Sequence, residues 1–299
     1  MLWIEVFNAN PGLLYGSALA LGLIVGSFLN VVILRLPRIM EASWRRECAE
    51  FAGALTADTA PALSLARPPS HCPSCGHRIR ALENVPILSY LFLRGRCSAC
   101  RTRISPRYPL IEGLTAVLTL IVVLRFGLSW QTLVALPLTW GLITLALIDF
   151  DTQLLPDSIS VPLLWVGLLC SLFGLFTDSA SAIIGAAAGY LSLWCVFQLF
   201  RLATGKEGMG YGDFKLLALF GAWFGWQFLP QILLLAALAG ALLGTLLIVT
   251  GRHARGVPMP FGPFLAVAGF PTFVMMPVSL LPTNYTNKHE KLIVAHYPE

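Results

Sequence analysis

The chain has 299 residues, of which 57% are hydrophobic and only 12% charged, with a net charge of +5. Soluble domains carry roughly a quarter charged residues, so a soluble globular protein is excluded. The expected fold class is an all-α polytopic membrane protein; no polybasic run points to nucleic acid as a partner.

In chain order, the N-terminus opens "MLWIEVFNANPG", with no basic residue before the first apolar run and an acid at Glu5. This is unlike a cleaved signal peptide; the run is read as a retained membrane helix. Spans are expected at about residues 12–34, 109–126, 131–149, 158–176, 182–201, 214–229, 231–250 and 261–281, the sixth being the shortest, given the roughly 17–25 residues a span needs. The domains that follow are a first membrane helix (1–34), a polar insert (35–108), a seven-helix membrane domain (109–281) and a tail (282–299).

Lys and Arg placement orients the chain. With the insert in the cytoplasm, twelve arginines from Arg35 to Arg107 lie inside, joined by Arg201, Lys206, Lys215, Arg252 and Arg255. Only Arg125, Lys288 and Lys291 fall outside. The bias places both termini on the non-cytoplasmic side and supports a count of eight spans.

The insert contains "CPSCGHRI" and "CSACRTRI". Cys72 and Cys75 form one CxxC pair and Cys97 and Cys100 the other, 21 residues apart. Two short-bite thiolate pairs suit a tetrahedral metal site. Four cysteine ligands imply a closed structural Zn²⁺, one per chain, which would let an insert with little apolar core fold. Disulfides do not suit a cytoplasmic insert, and redox motifs do not normally come as matched pairs. His71 and His77 read as surface residues, and Cys48, Cys170 and Cys195 show no pairing pattern.

Acids at the edges of spans are functional suspects. "LALIDFDTQLLPD" supplies Asp149, Asp151 and Asp157, and "GMGYGDFK" supplies Asp213. Asp149 ends the third span and Asp213 begins the sixth, so the topology puts both at the cytoplasmic face, 64 residues apart in sequence. Two carboxylates that meet share a proton and titrate as a unit. Such a dyad can activate water with one member while the other polarises a carbonyl. Gly210 and Gly212 lack side chains and would let a substrate backbone approach. Against this stands a plain capping role for Asp213. Asp157 reads mainly as a cap after Pro156, and the role of Asp151 stays open. "TGKEG" is not a P-loop, and no HExxH occurs.

These stretches, with "GSFLNVVILRLP", "NVPILSYLFLRGRCSAC", "ISPRYPLIE" and "PMPFGPFLA", closely resemble the prepilin peptidases, or type IV leader peptidases, along nearly the whole chain. The resemblance implies a multi-pass bacterial inner-membrane aspartic protease of the GxGD type, here Gly210, Tyr211, Gly212 and Asp213, with Asp149 as the second catalytic acid. It implies cleavage of the basic leader from type IV prepilins or type II secretion pseudopilins. It further implies N-methylation of the new terminus with S-adenosylmethionine as donor. The insert would be the place for methylation, but it has no GxGxxG, and donor-binding residues are not assignable; Glu112 is a candidate polar contact, or a helix N-terminal acid favoured by the dipole. A proton-coupled transporter using the carboxylate pair is the competing function; it predicts internal repeats and midplane acids, neither of which is evident. A metal-sensing adaptor would leave the aspartates without a purpose.

Overall fold

The computed structural model describes residues 6–7, 9–53, 63–251 and 259–276. The expected tail at 282–299, the end of the eighth span, and Arg252, Arg255, Lys288 and Lys291 lie outside them. Among the described residues there is no β-strand, only two isolated β-bridges.

Among the described residues nine α-helices are defined: α1 (Pro11–Phe51), the five-residue α2 (Leu88–Phe92), α3 (Arg107–Phe126), α4 (Trp130–Thr152), α5 (Asp157–Leu172), α6 (Ser179–Thr204), α7 (Tyr211–Phe224), α8 (Leu229–Val249) and α9 (Gly262–Met275). Apart from α2, they fall on the eight apolar segments. Five are long and apolar enough to cross a membrane: α1, α3, α4, α6, and α8 together with its preceding turn from Trp226. The helices α5, α7 and α9 are shorter, at 14–16 residues.

The boundaries differ most from expectation at α1, while α5 ends at Leu172 rather than 176 and α7 at Phe224 rather than 229. α1 does not stop at residue 34 but continues to Phe51, through Pro37. Its last third carries Glu41, Arg45, Arg46, Glu47 and Glu50, good helix formers that support one another at helical spacing. Arg45 and Glu41 pair at 3.7 Å, and Ser43 donates to Glu47 at 2.8 Å. An apolar criterion ends the span at residue 34 because charge begins there, whereas the backbone has no reason to stop.

The chain forms two compact units, Met1–Leu128 and Ser129–Glu299. In the first, α1 packs along α3. A Cβ on Gly26 would stand 2.7 Å from the Glu112 Cα, so only glycine permits this approach. Apolar lipid gives helices little hydrophobic reason to associate, and close backbone packing at small residues supplies much of the attraction instead. Asn30, buried on α1, donates to the Tyr108 carbonyl at 3.2 Å.

In the second unit α7 is the buried element: every residue from Asp213 to Phe224 except Lys215 is buried. It packs most extensively on α6, where Gly185 and Gly221 place their backbones in mutual contact, and a Cβ on Gly189 would meet the Leu217 carbonyl at 2.6 Å. On its other side lies α5. There Trp223 fills the space left by Gly167 and donates its indole N–H to the Leu163 carbonyl at 2.8 Å. Phe176, Phe224 and Phe273 stack around one end of α7. The helix that carries Asp213 is therefore clamped on two sides.

Candidate functional site

The carboxylate site lies wholly within the second unit. Asp149 sits in the last turn of α4 and is 5% exposed; Asp213 sits in the first turn of α7 and is 7% exposed. The two carboxylates are close enough to interact electrostatically. Asp151, two residues beyond Asp149, is exposed, so of the paired acids in "IDFD" only the first turns inward.

Local sequence explains the arrangement. α4 ends at Gln153, which adopts a left-handed conformation (φ 56°) and returns its N–H to the Asp149 carbonyl at 2.9 Å. This turn redirects the chain so that Leu155 folds back over the site, before Pro156 starts α5. α9 supplies the third wall. The Gly262 N–H donates to Asp149 Oδ2 at 2.9 Å. A Cβ on Gly262 would stand 2.6 Å from that oxygen and 3.4 Å from Leu155 Cδ1. Asp213 Oδ1, by contrast, is buried and has no hydrogen-bond partner among the described residues. One carboxylate of the pair is thus held by the protein, while the other keeps an unused acceptor. A buried unpartnered carboxylate oxygen is costly, which makes this the most conspicuous polar feature of the unit.

The two glycines before Asp213 differ in surroundings. Gly210, the N-cap of α7, faces open space, whereas the open side of Gly212 is filled by Leu155, whose Cβ would lie 2.6 Å from an added methyl. Asp213 makes no side-chain cap; its backbone N–H reaches the Gly210 carbonyl at 3.3 Å. Asp157 is not the cap of α5 either. Pro156 holds that position, and the Asp157 carboxylate receives Lys215 Nζ at 2.7 Å on both oxygens. This ion pair ties the start of α5 to the first turn of α7, one turn from Asp213. In the sequence Lys215 counts only toward the charge that orients the chain, and Gly262 carries no sign of a site. Gly262 lies in "PMPFGPFLA", which was noticed as a motif, but a glycine advertises no chemistry.

The metal-type site lies in the first unit. The sulfurs of Cys72, Cys75, Cys97 and Cys100 all lie within 4.8 Å of one another. The Cys72–Cys100 separation is 3.8 Å and the Cys75–Cys97 separation 4.0 Å. Four sulfurs about 2.3 Å from a tetrahedral Zn²⁺ stand about 3.8 Å apart, so the donor set fits such an ion.

The two halves repeat each other at an offset of 25 residues. Cys72 N–H bonds the His77 carbonyl, Gly76 N–H the Cys72 carbonyl and Ile79 N–H the Ser70 carbonyl; Cys97, Arg101 and Ile104 do the same with Thr102, Cys97 and Gly95. The bridges His71–Arg78 and Arg96–Arg103 match too. Gly76 (φ 70°) has Arg101 (φ 63°) as its counterpart, a left-handed position that favours glycine. Backbone N–H groups of Ser74 and Cys75 pull the Cys72 thiol below its ordinary range, and the hydroxyl and amide of Thr102 hold Cys100 down to about 6. Both shifts favour the thiolates that a metal needs, whereas Cys75, despite the pull of the His77 backbone, is pushed up to about 12 by burial and the neighbouring sulfurs, since four thiols this close do not all ionise without a cation between them. His77, expected to be a mere surface residue, is half-buried, and its Nε2 lies 3.3 Å from Glu83. Glu112 is buried on α3 and accepts the Ile87 N–H at 2.8 Å.

Residues 136–245 match the type IV leader peptidase family, and residues 20–126 match the bacterial peptidase A24 N-terminal domain. The first match contains Asp149 and Asp213, and the second all four clustered cysteines. The chain is 55% identical to a prepilin leader peptidase/N-methyltransferase of Pseudomonas putida, across 87% of this chain and 90% of that one. It is 53% identical to that of Pseudomonas aeruginosa, across 89% and 92%. A third relative with the same description, from Aeromonas hydrophila, is 50% identical across 90% and 93%. No solved structure matches the chain significantly.

Proposed function

Because the chain belongs to the type IV leader peptidase family, we propose that it cleaves the basic leader from type IV prepilins or type II secretion pseudopilins, with Asp149 and Asp213 as the catalytic pair. This reading is supported by two buried carboxylates from α4 and α7 within electrostatic reach of each other, one held by Gly262 and the other with a spare buried oxygen.

The two acids share one proton. The ionised member takes a proton from water as the oxygen attacks the scissile carbonyl; the protonated member donates to the carbonyl oxygen. Collapse of the tetrahedral intermediate breaks the C–N bond, and a proton passes to the departing amine. The open side at Gly210 is where the substrate backbone enters, while Gly212 lets Leu155 close the opposite wall.

The new N-terminal amine is then methylated in the same chain, consistent with the paired description of the relatives. S-adenosylmethionine, when bound, would supply the methyl group to the deprotonated amine and would leave as S-adenosylhomocysteine. The first unit is the place for this second step. Cys72, Cys75, Cys97 and Cys100 would hold a structural Zn²⁺, whose closed thiolate shell offers no open position for substrate. The enzyme lies in the bacterial inner membrane, with the insert in the cytoplasm and both termini on the periplasmic side, so that a prepilin anchored by its apolar helix presents its leader at the level of the aspartates.

The test is cleavage of a purified prepilin in detergent by the wild-type chain and by Asp149→Asn and Asp213→Asn. Each substitution should abolish cleavage while leaving the protein folded; cleavage retained by both would overturn the dyad. Labelled S-adenosylmethionine in the same assay reports methyl transfer.

A further inference from the structure

We propose that residues 85–93, between the two cysteine knuckles, form a lipid anchor that lies in the bilayer interface, with the guanidinium groups at its ends on the phosphates of anionic lipid headgroups.

The first ground is exposed apolar surface outside the spanning helices. Leu88, Leu91 and Phe92 occupy one face of α2 at i, i+3 and i+4, with Leu91 63% and Phe92 85% exposed. Leu82, just upstream, is 84% exposed. The other face of α2 is used internally: Tyr90 lies against Gly95 and reaches the Ile104 carbonyl at 3.5 Å. An insert surrounded by water has no reason to display Leu, Leu and Phe together. An amphipathic segment on a membrane surface displays this pattern.

The second ground is depth. α3 has 20 residues, which at 1.5 Å each gives about 30 Å, the thickness of the hydrocarbon core. Glu112 lies five residues inside its start, about 7–8 Å along the axis. The Ile87 N–H is bonded to the Glu112 carboxylate, and Ile87 Cδ1 would lie 3.7 Å from a Cβ on Gly113. The loop is therefore fastened to a spanning helix below its mouth, level with Leu110 and Leu114, which are themselves exposed on α3. Ile87 is held at φ 57°, with Leu88 N–H closing back on the Pro86 carbonyl. This is a conformation a β-branched residue rarely adopts, and it forces the sharp reversal that lets the chain dip to this level and return.

The third ground is charge. Arg80 and Arg94 bracket the segment and Arg96 follows; all three are exposed. Glu83 is the one acid between residues 81 and 106, and it is engaged by the Arg80 N–H and His77. Arginines flanking a buried apolar tip snorkel to the headgroups and favour anionic lipid.

The test uses the full metal-loaded chain with benzoylphenylalanine at position 92, in nanodiscs of phosphatidylcholine with or without phosphatidylglycerol. Light should give a lipid adduct within about threefold of that from the same probe at Val117, an exposed position on α3, and none from Ala99, exposed on a knuckle. If the position 92 variant loses its metal, position 91 replaces it. A yield no greater than at Ala99 would overturn the anchor, as would crosslinking to a second copy or to an added prepilin in place of lipid. Phosphatidylglycerol should raise the yield in the parent, and Arg80→Gln/Arg94→Gln should remove that increase; an unchanged increase would overturn the headgroup contact.

Discussion

Gly262 holds Asp149 through its backbone N–H at 2.9 Å, and the same glycine has no room for a side chain, because an added methyl would stand 2.6 Å from the oxygen it binds. The contact joins residues 113 apart in sequence and sets the position of one acid of the proposed pair.

Gly262→Ala therefore moves Asp149 or α9. If Asp149 is catalytic, a displacement of about 1 Å lowers kcat by up to about a hundredfold with KM little changed. Steady-state cleavage of a prepilin, beside a melting curve showing the variant folded, checks it.

Trp223→Phe removes the indole donor to the Leu163 carbonyl, which keeps its place in the α5 ladder. The expected cost is about 0.5–1.5 kcal/mol, read by denaturant titration in mixed micelles. An unchanged midpoint would mean that α5 and α7 are held by packing alone.

Gly185→Val has no space, since its Cβ would overlap the Gly221 carbonyl. Overpacking costs about 1–3 kcal/mol or more, and here the offending atoms are backbone that a rotamer change does not relieve. The variant should accumulate poorly and unfold earlier than Gly240→Val, whose nearest contact is at 3.5 Å.

Asp178 caps α6 by accepting the Ser181 N–H at 3.0 Å, and the Ser181 hydroxyl and amide hold its carboxyl below the usual range. A depressed carboxyl adds stability above its unfolded pKa of about 3.9 and loses it as pH falls through the folded value. Asp178→Ala should cost about 1 kcal/mol at neutral pH, and the difference from wild type should shrink below about pH 4. Asp178→Asn should keep most of the cap without that pH dependence. Melting temperatures from pH 3 to 7 decide it.

Cys72→Ser, or a chelator, should release one equivalent of zinc by mass spectrometry of the metal. Protease sites between residues 63 and 106 should open, because that segment has little apolar core of its own. An intact digestion pattern after complete metal loss would show that backbone pairing alone holds the two knuckles.

Much of this architecture was legible in the sequence, because lipid imposes long apolar runs and each of the eight expected segments became a helix. Asp149 and Asp213 stood out because charge at a span's edge is rare. What stayed hidden was carried by residues with no chemical signature. Gly262 acts through a backbone N–H, and Leu155 acts by filling the place of an absent side chain at Gly212. The continuation of α1 to Phe51 was hidden because a charged helix in water and a charged loop look alike to a hydropathy reading. The second knuckle concealed its likeness to the first because Arg101 stands where Gly76 would lead one to expect glycine.

The glycine seam between α6 and α7 also restricts how the second unit can move. Backbones in contact cannot slide past each other without first separating, so this pair behaves as a single strut, and Asp213 travels only when the strut does. Asp149 stands at the end of α4, where no glycine seam of this kind is found among the described residues, and its carboxylate is held by one amide at the start of a 14-residue helix. If the pocket has to widen to accept a chain and narrow to cut it, the compliant jaw is the one formed by Asp149 and Gly262, and Asp213 is the anvil.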